Sequence, residues 1–141
     1  INIKTGEVVS DHAAHGSGSG GGAIPTVIDD TPNSNRTSGG FFETGNIYTS
    51  VKCPKGKKRK NGSCRVALKP RKTFGGMKNN AVRMIGLLPS NKNAMSRGVV
   101  HHGATYVSET GAGRASGCPA PQVKTFKKMR EKIDLIKVYL V

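Results

Sequence analysis

Val99 to Pro121 reads VVHHGATYVSETGAGRASGCPAP, and the other residues of this 141-residue chain are interpreted outward from it. The apolar, β-branched run Gly98 to His102 predicts a buried strand that carries two histidines, His101 and His102. Cys118 follows in Ser116-Gly117-Cys118-Pro119. From Pro121 to Asp134, Val123, Phe126, Met129 and Ile133 fall at helical spacing, with Pro121 near the helix start. The cysteine is thus expected between a strand end and the mouth of a helix. A thiol needs a base to become thiolate at neutral pH, and a neighbouring histidine is the usual one. A helix start would further favour the anionic sulfur. The layout is that of a nucleophile and its base.

Strand alternation sends His101 and His102 to opposite faces, so at most one of them can serve Cys118. Gly103 would leave room for substrate beside the His102 ring. Pro119 has no N–H, so an oxyanion hole would draw on the amides of Cys118 and Gly117, or of Ser116. His15 is a candidate third histidine of the site, with loop surface as the alternative; His12 is left without a role. Arg114 could clamp a carboxylate bidentately, although its spacing alone suits a solvent position.

Composition bounds the rest. One modest domain spanning 1–141 is expected from the length. Hydrophobic residues make up 35%, Trp is absent and Gly numbers 19, which favours short strands and turns over a helix bundle. The class is therefore mainly β (α+β), with one or two short helices. No apolar run approaches the ~20 residues of a membrane span. No cationic-then-apolar signal segment is present. Ile1-Asn2-Ile3 reads as the inside of a strand, so a trimmed or processed product is expected. No metal or other cofactor is called for.

Lys plus Arg outnumber Asp plus Glu by 23 to 8, giving a net charge of +15. Between Thr44 and Ser108 there are fourteen Lys or Arg and no acidic residue. Such a stretch favours polyanions. Aromatics are only 5% and do not interleave with it, so nucleic acid is not expected as the partner. Inside it, residues 52–72 read as a basic inserted loop, with Asn61-Gly62 as a turn between Cys53 and Cys64. In an oxidising compartment these two cysteines would pair and pin the loop, leaving Cys118 as the odd thiol. Neither a CxxC nor a nearby His completes a zinc site there.

Elsewhere, Ile1 to Val9 suggests a hairpin, and Gly16 to Gly22 a substrate-side loop. Asp29 to Asn33 is turn chemistry. Gly40 to Val51 reads as strand, turn at Thr44-Gly45-Asn46, strand. Arg65 to Leu68 reads as a short strand, and Met77 to Pro89 as either a short helix or a loop. Leu135 to Val141 is the clearest strand and is expected at the centre of a sheet.

AAHGSGSG (Ala13 to Gly20), TSGGFFETGNIY (Thr37 to Tyr48), VVHHGATYVSE (Val99 to Glu109) and GRASGCPA (Gly113 to Ala120) resemble, in that order, the L,D-transpeptidase catalytic domain of the YkuD type. The branch resembled most has Pro-Ala after the nucleophile. The resemblance implies a mixed β-sheet sandwich or barrel with a catalytic cysteine at the end of a cleft, here without the N-terminal strand that usually precedes the position of Ile1. It implies acyl transfer on peptidoglycan stem peptides in the cell envelope, periplasmic or extracellular. Cys118 would be the nucleophile and His102, directly before Gly103, the base, oriented by a backbone carbonyl. Hydrolysis of the same acyl-enzyme by an L,D-carboxypeptidase or endopeptidase is an alternative, and a non-catalytic basic binding module another. Ala115 and Ser116 depart from the family's usual Ser and His or Trp, which bears on the choice of acceptor.

Overall fold

The computed structural model describes residues 6, 11–21, 24–133 and 138–140. In chain order the strands are Ala13–Ala14 (β1), Phe41–Tyr48 (β2), Val51–Lys52 (β3), Lys69–Pro70 (β4), Ala81–Gly86 (β5) and Val100–His102 (β6). Val107–Ser108 (β7), Gly111–Ala112 (β8) and Ala120–Pro121 (β9) precede the helix Val123–Glu131 (α1), and Val138–Leu140 (β10) follows it. The fold is mainly β with one α-helix among the described residues, as the composition led us to expect.

Its largest sheet is antiparallel, with four strands in the order β10-β2-β5-β6. β2 is one continuous strand, where the sequence suggested a hairpin. The one extra residue at Gly45-Asn46 is absorbed as an irregularity in the β2–β5 register between Thr44 and Ile47. A bulge of this kind bends a strand without ending it. β5 arises from the stretch read as helix or loop. With strands on both sides, its apolar residues Ala81, Val82 and Met84 are buried without a clean alternation. Arg65 to Leu68 forms no strand; β3 pairs instead with β4, just beyond it. β10 pairs with β2 at the sheet's margin among the described residues, and not at its centre. The hairpin expected in Ile1 to Val9 lies outside the described residues, apart from Gly6.

Phe42, Met84, Ala94 and Val99 form one apolar cluster, and Val82, Phe126 and Ile133 another. The second anchors α1 beneath the sheet through Phe126, which is fully buried. The start of α1 is tethered through its side chains by a residue far away in sequence. Gln122, the N-cap residue, supplies no side-chain cap of its own. Asp11 accepts a 3.0 Å hydrogen bond from Gln122 Nε2 and a further one from Thr125 Oγ1. A carboxylate there also suits the positive end of the helix dipole.

Candidate active site

β6 delivers both histidines into buried positions on opposite faces. His101 tilts against Phe126 beside α1, with ring centroids 5.4 Å apart. His102 lies flat on Phe74, with centroids 3.6 Å apart and planes 14° from parallel. Its Nδ1 is 2.9 Å from the carbonyl oxygen of Gly103. A carbonyl can only accept, so Nδ1 carries the proton and Nε2 keeps the basic lone pair. Burial lowers the His102 pKa to about 4, with the Gly103 carbonyl opposing and Arg71 adding to the shift. Burial takes His101 lower still, to about 3; His102 adds to this and the Pro119 carbonyl opposes it. Both rings are therefore neutral at pH 7.

Gly103 is buried, and the space its side chain would fill is taken by α1. A Cβ there would stand 3.0 Å from Val123 Cα. The missing side chain thus admits the helix, and not a ligand as the sequence suggested.

Cys118 is half-buried and packs against Ala14, Ala104, Val107, Ala115 and Ala120. It opens onto a cavity of about 370 Å3 whose walls include Ser116, Arg97, Asn33 and Asn35. The expected helix mouth is not there: β9 follows Cys118 and α1 starts only at Val123. The setting of the thiol is instead burial, which pushes its pKa up, opposed by a backbone hydrogen bond from Val100 and by the Arg97 charge. The Val100 contact places Cys118 alongside β6, two residues from His102 in that strand. Gly117 has φ +105, and a Cβ there would come within 2.9 Å of the Arg36 carbonyl oxygen, so only glycine fits before the cysteine. The amides of Gly117 and Cys118 donate to no backbone carbonyl among the described residues.

His15 is half-buried, its Nδ1 3.1 Å from the Gly16 carbonyl oxygen. Its own carbonyl accepts from the Ala115 amide at 2.9 Å, so it borders the segment leading to Cys118. His12 is exposed. Arg114 is exposed too, yet its guanidinium is engaged, donating to the carbonyls of Gly20 and Gly21. It holds the Gly/Ser segment in place. That segment in turn backs the cavity wall. Ser19 is buried, its Oγ accepts from the Thr37 amide at 2.8 Å, and the Gly16 amide donates to Thr37 Oγ1 at 2.7 Å.

Cys53 and Cys64 form a disulfide, with Cα atoms 5.6 Å apart. The loop it closes is further tied by hydrogen bonds from Arg59 N to Ser63 O at 2.8 Å and from Arg65 N to Lys57 O at 2.8 Å. Its cations, Lys55, Lys57, Lys58, Arg59 and Lys60, are all exposed. Among the described residues no three His, Cys, Asp or Glu converge as a metal shell, and no helix is long and apolar enough to cross a membrane.

Phe74, Asp30 and Arg97 escaped the sequence reading. Phe74 and Asp30 sit far from the HHG and GCPA segments in sequence, Arg97 stands directly before the predicted strand Gly98 to His102, and none belongs to a spacing that carries chemistry by itself. The only signal near Asp30 was the turn chemistry of Asp29 to Asn33.

Residues 56–140 match the family of L,D-transpeptidase catalytic domains, and the chain belongs to that family. The match starts within the basic loop and takes in Phe74, β6, Cys118 and α1. No curated protein and no solved structure matches the chain.

Proposed function

We propose that this catalytic domain is an exported cysteine acyltransferase that carries out L,D-transpeptidation on peptidoglycan stem peptides, with Cys118 as nucleophile and His102 as base. Cys118-Pro119-Ala120 would place it in the branch of the family with Pro-Ala after the cysteine. The observation that carries the reading is the state of His102, neutral at pH 7, with Nδ1–H tied to Gly103 and Nε2 left basic. His102 Nε2 takes the thiol proton. The thiolate attacks the carbonyl of the L-centre, and the tetrahedral oxyanion is received by the amides of Gly117 and Cys118, with Ser116 beside them. The C–N bond to the terminal D-residue breaks, and its nitrogen takes the proton back from the imidazolium. An amine from a second stem then gives a proton to His102 and attacks the thioester, and the thiolate departs. His15 and Ser116 border the substrate path, while Arg114 serves by holding the Gly/Ser segment behind it.

The disulfide supports an oxidising compartment, hence the periplasm or cell exterior. The basic loop of residues 52–72 would dock the enzyme on anionic wall polymer, with stem peptides as the substrate.

The test is product analysis with a soluble tetrapeptide stem, with and without an acceptor stem. A cross-linked product that requires the acceptor, and is absent with Cys118→Ala, is expected. Release of the terminal residue alone, indifferent to acceptor, would make the enzyme an L,D-carboxypeptidase or endopeptidase. Salt-dependent polymer binding with no turnover would leave a binding module.

A further inference from the structure

Behind the Cys118 cavity lies a buried ion pair. The Arg97 and Asp30 side chains are 6% and 8% exposed, with Nη1 and Oδ1 2.9 Å apart. Arg97 Nη1 also donates to Ser38 Oγ at 2.6 Å and the Asp29 carbonyl at 3.2 Å. Nη2 donates to the Arg36 carbonyl at 2.8 Å and to Ser34 Oγ at 3.4 Å. Asp30 accepts in addition from Ser38 Oγ at 2.6 Å and from the Asn93 amide. Burial pushes the Asp30 pKa up, but Ser38, Arg97 and Asn93 together hold it below the ordinary carboxylate range. With both terminal nitrogens taken up by protein acceptors, Arg97 has no free fork to offer a substrate carboxylate.

Two observations direct this cation at the nucleophile. Arg97 lines the same cavity as Cys118, and a Cβ built on Gly117 would stand 3.6 Å from Arg97 Nη2. The guanidinium is therefore in contact range of the backbone that presents the thiol. The acceptors it holds, from Asp29 to Ser38, belong to the segment that supplies Asn33 and Asn35 to the cavity wall. Resting on the reading of Cys118 as nucleophile, we propose that Arg97 is a positioning residue of the acyl-transfer site: its buried guanidinium fixes the Asp29 to Ser38 wall and stands as a permanent positive charge that favours the Cys118 thiolate.

A fixed cation within a few ångströms favours an anion in a buried site far more than it would in water. The other titratable and charged groups near the thiol are Asp30 behind Arg97, Arg36 beside Gly117, Tyr106, His101 at the Pro119 carbonyl, and His102 on β6. Tyr106 is raised by burial and, less, by the Cys118 charge. A deprotonated Cys118 would face Arg97 and neutral rings.

The experiment follows the rate of Cys118 alkylation by iodoacetamide against pH in the full chain, with folding checked by circular dichroism. Arg97→Met paired with Asp30→Asn removes both charges while nearly keeping volume; the midpoint should rise by about one pH unit or more. Arg97→Lys keeps the charge, loses the fork, and should leave the midpoint in place while slowing acylation. Asp30→Asn alone uncovers the Arg97 charge and should move the midpoint down, an outcome that a merely structural role does not produce. Unchanged midpoints in folded Asp30→Asn and in the double variant would overturn the proposal. If the double variant does not fold, an unchanged midpoint in Asp30→Asn suffices to overturn it. A parent protein whose Cys118 resists both iodoacetamide and an acylating β-lactam would instead overturn the nucleophile reading itself.

Discussion

The loop from Cys53 to Cys64 carries five exposed cations on a disulfide-closed turn, whereas the wall of the Cys118 cavity holds one cation, Arg97, with a side chain only 6% exposed. The loop's charges are numerous, solvated and screened, since the Debye length is ~10 Å at 0.1 M salt. They can act on an extended polyanion but have little purchase on a bond being made or broken. Arg97 is single, unscreened and fixed by five protein acceptors. The difference teaches that the net charge of +15 is a poor guide to the chemistry. One buried charge set against one thiol can outweigh many on the surface.

The sharpest way to break the contrast is at the buried end. His102→Ala should slow acylation by about 100- to 10,000-fold, the usual range for loss of a general base. His101→Ala, whose ring packs against Phe126, should cost packing stability and little rate. Acylation rates of the two folded variants near neutral pH check this; a dead His101→Ala beside a fully active His102→Ala would reverse the assignment.

Asp30→Ala leaves the Arg97 charge buried without its partner, and should destabilise the fold by about 3–5 kcal/mol. Chemical denaturation measures it, and a loss under 1 kcal/mol would mean that the pair is not a structural keystone of the wall.

Acid offers a third way to separate buried from exposed groups. The folded pKa values of His102 and His101, about 4 and about 3, lie below the ordinary 6.5. The unfolded chain therefore binds protons that the folded chain refuses. Stability present above pH 6.5 should fall as the pH drops toward 4, and further toward 3 for His101, by ~1.4 kcal/mol per pH unit for each ring. Denaturation midpoints that stay level from pH 7 to 4.5 would contradict the buried, neutral state of both rings.

The smallest effect on chemistry belongs to the loop. Neutralising Lys57, Lys58, Arg59 and Lys60 together should weaken binding to sacculi and flatten its salt dependence, with turnover of a soluble stem peptide nearly unchanged. A collapse of that turnover would bring the loop into the active site.

Much of this contrast was open to a reader of the sequence, but unevenly. The buried strand at Gly98 to His102, the helix after Pro121 and the Cys53–Cys64 pair follow from local pattern, and local pattern is what a sequence displays. β5 was missed because a strand with neighbours on both sides loses its alternation. β2 was split in two because Thr44-Gly45-Asn46 has turn composition whether it turns or only bulges. The helix starts at Val123, two residues beyond Pro121 and with β9 between it and Cys118, so no helix mouth meets the thiol; burial raises its pKa, and the Val100 hydrogen bond and the Arg97 charge oppose that. Arg97, Asp30, Phe74 and Asp11 act across 28 to 114 residues of sequence, where spacing carries no signal. Stacking of Phe74 on His102 and the side-chain contacts of Asp11 with Gln122 and Thr125 exist only once the chain is folded.

The central claim is that Cys118 forms the acyl-enzyme. It is tested most directly by intact-mass and peptide mass spectrometry of the full chain after exposure to a carbapenem, to which the resembled family is commonly susceptible. The account predicts a single adduct on the peptide containing Cys118, its formation slowed in His102→Ala and absent in Cys118→Ala, with Cys53 and Cys64 still paired. An unmodified Cys118 in the folded parent protein, or an adduct that persists in Cys118→Ala, would contradict it.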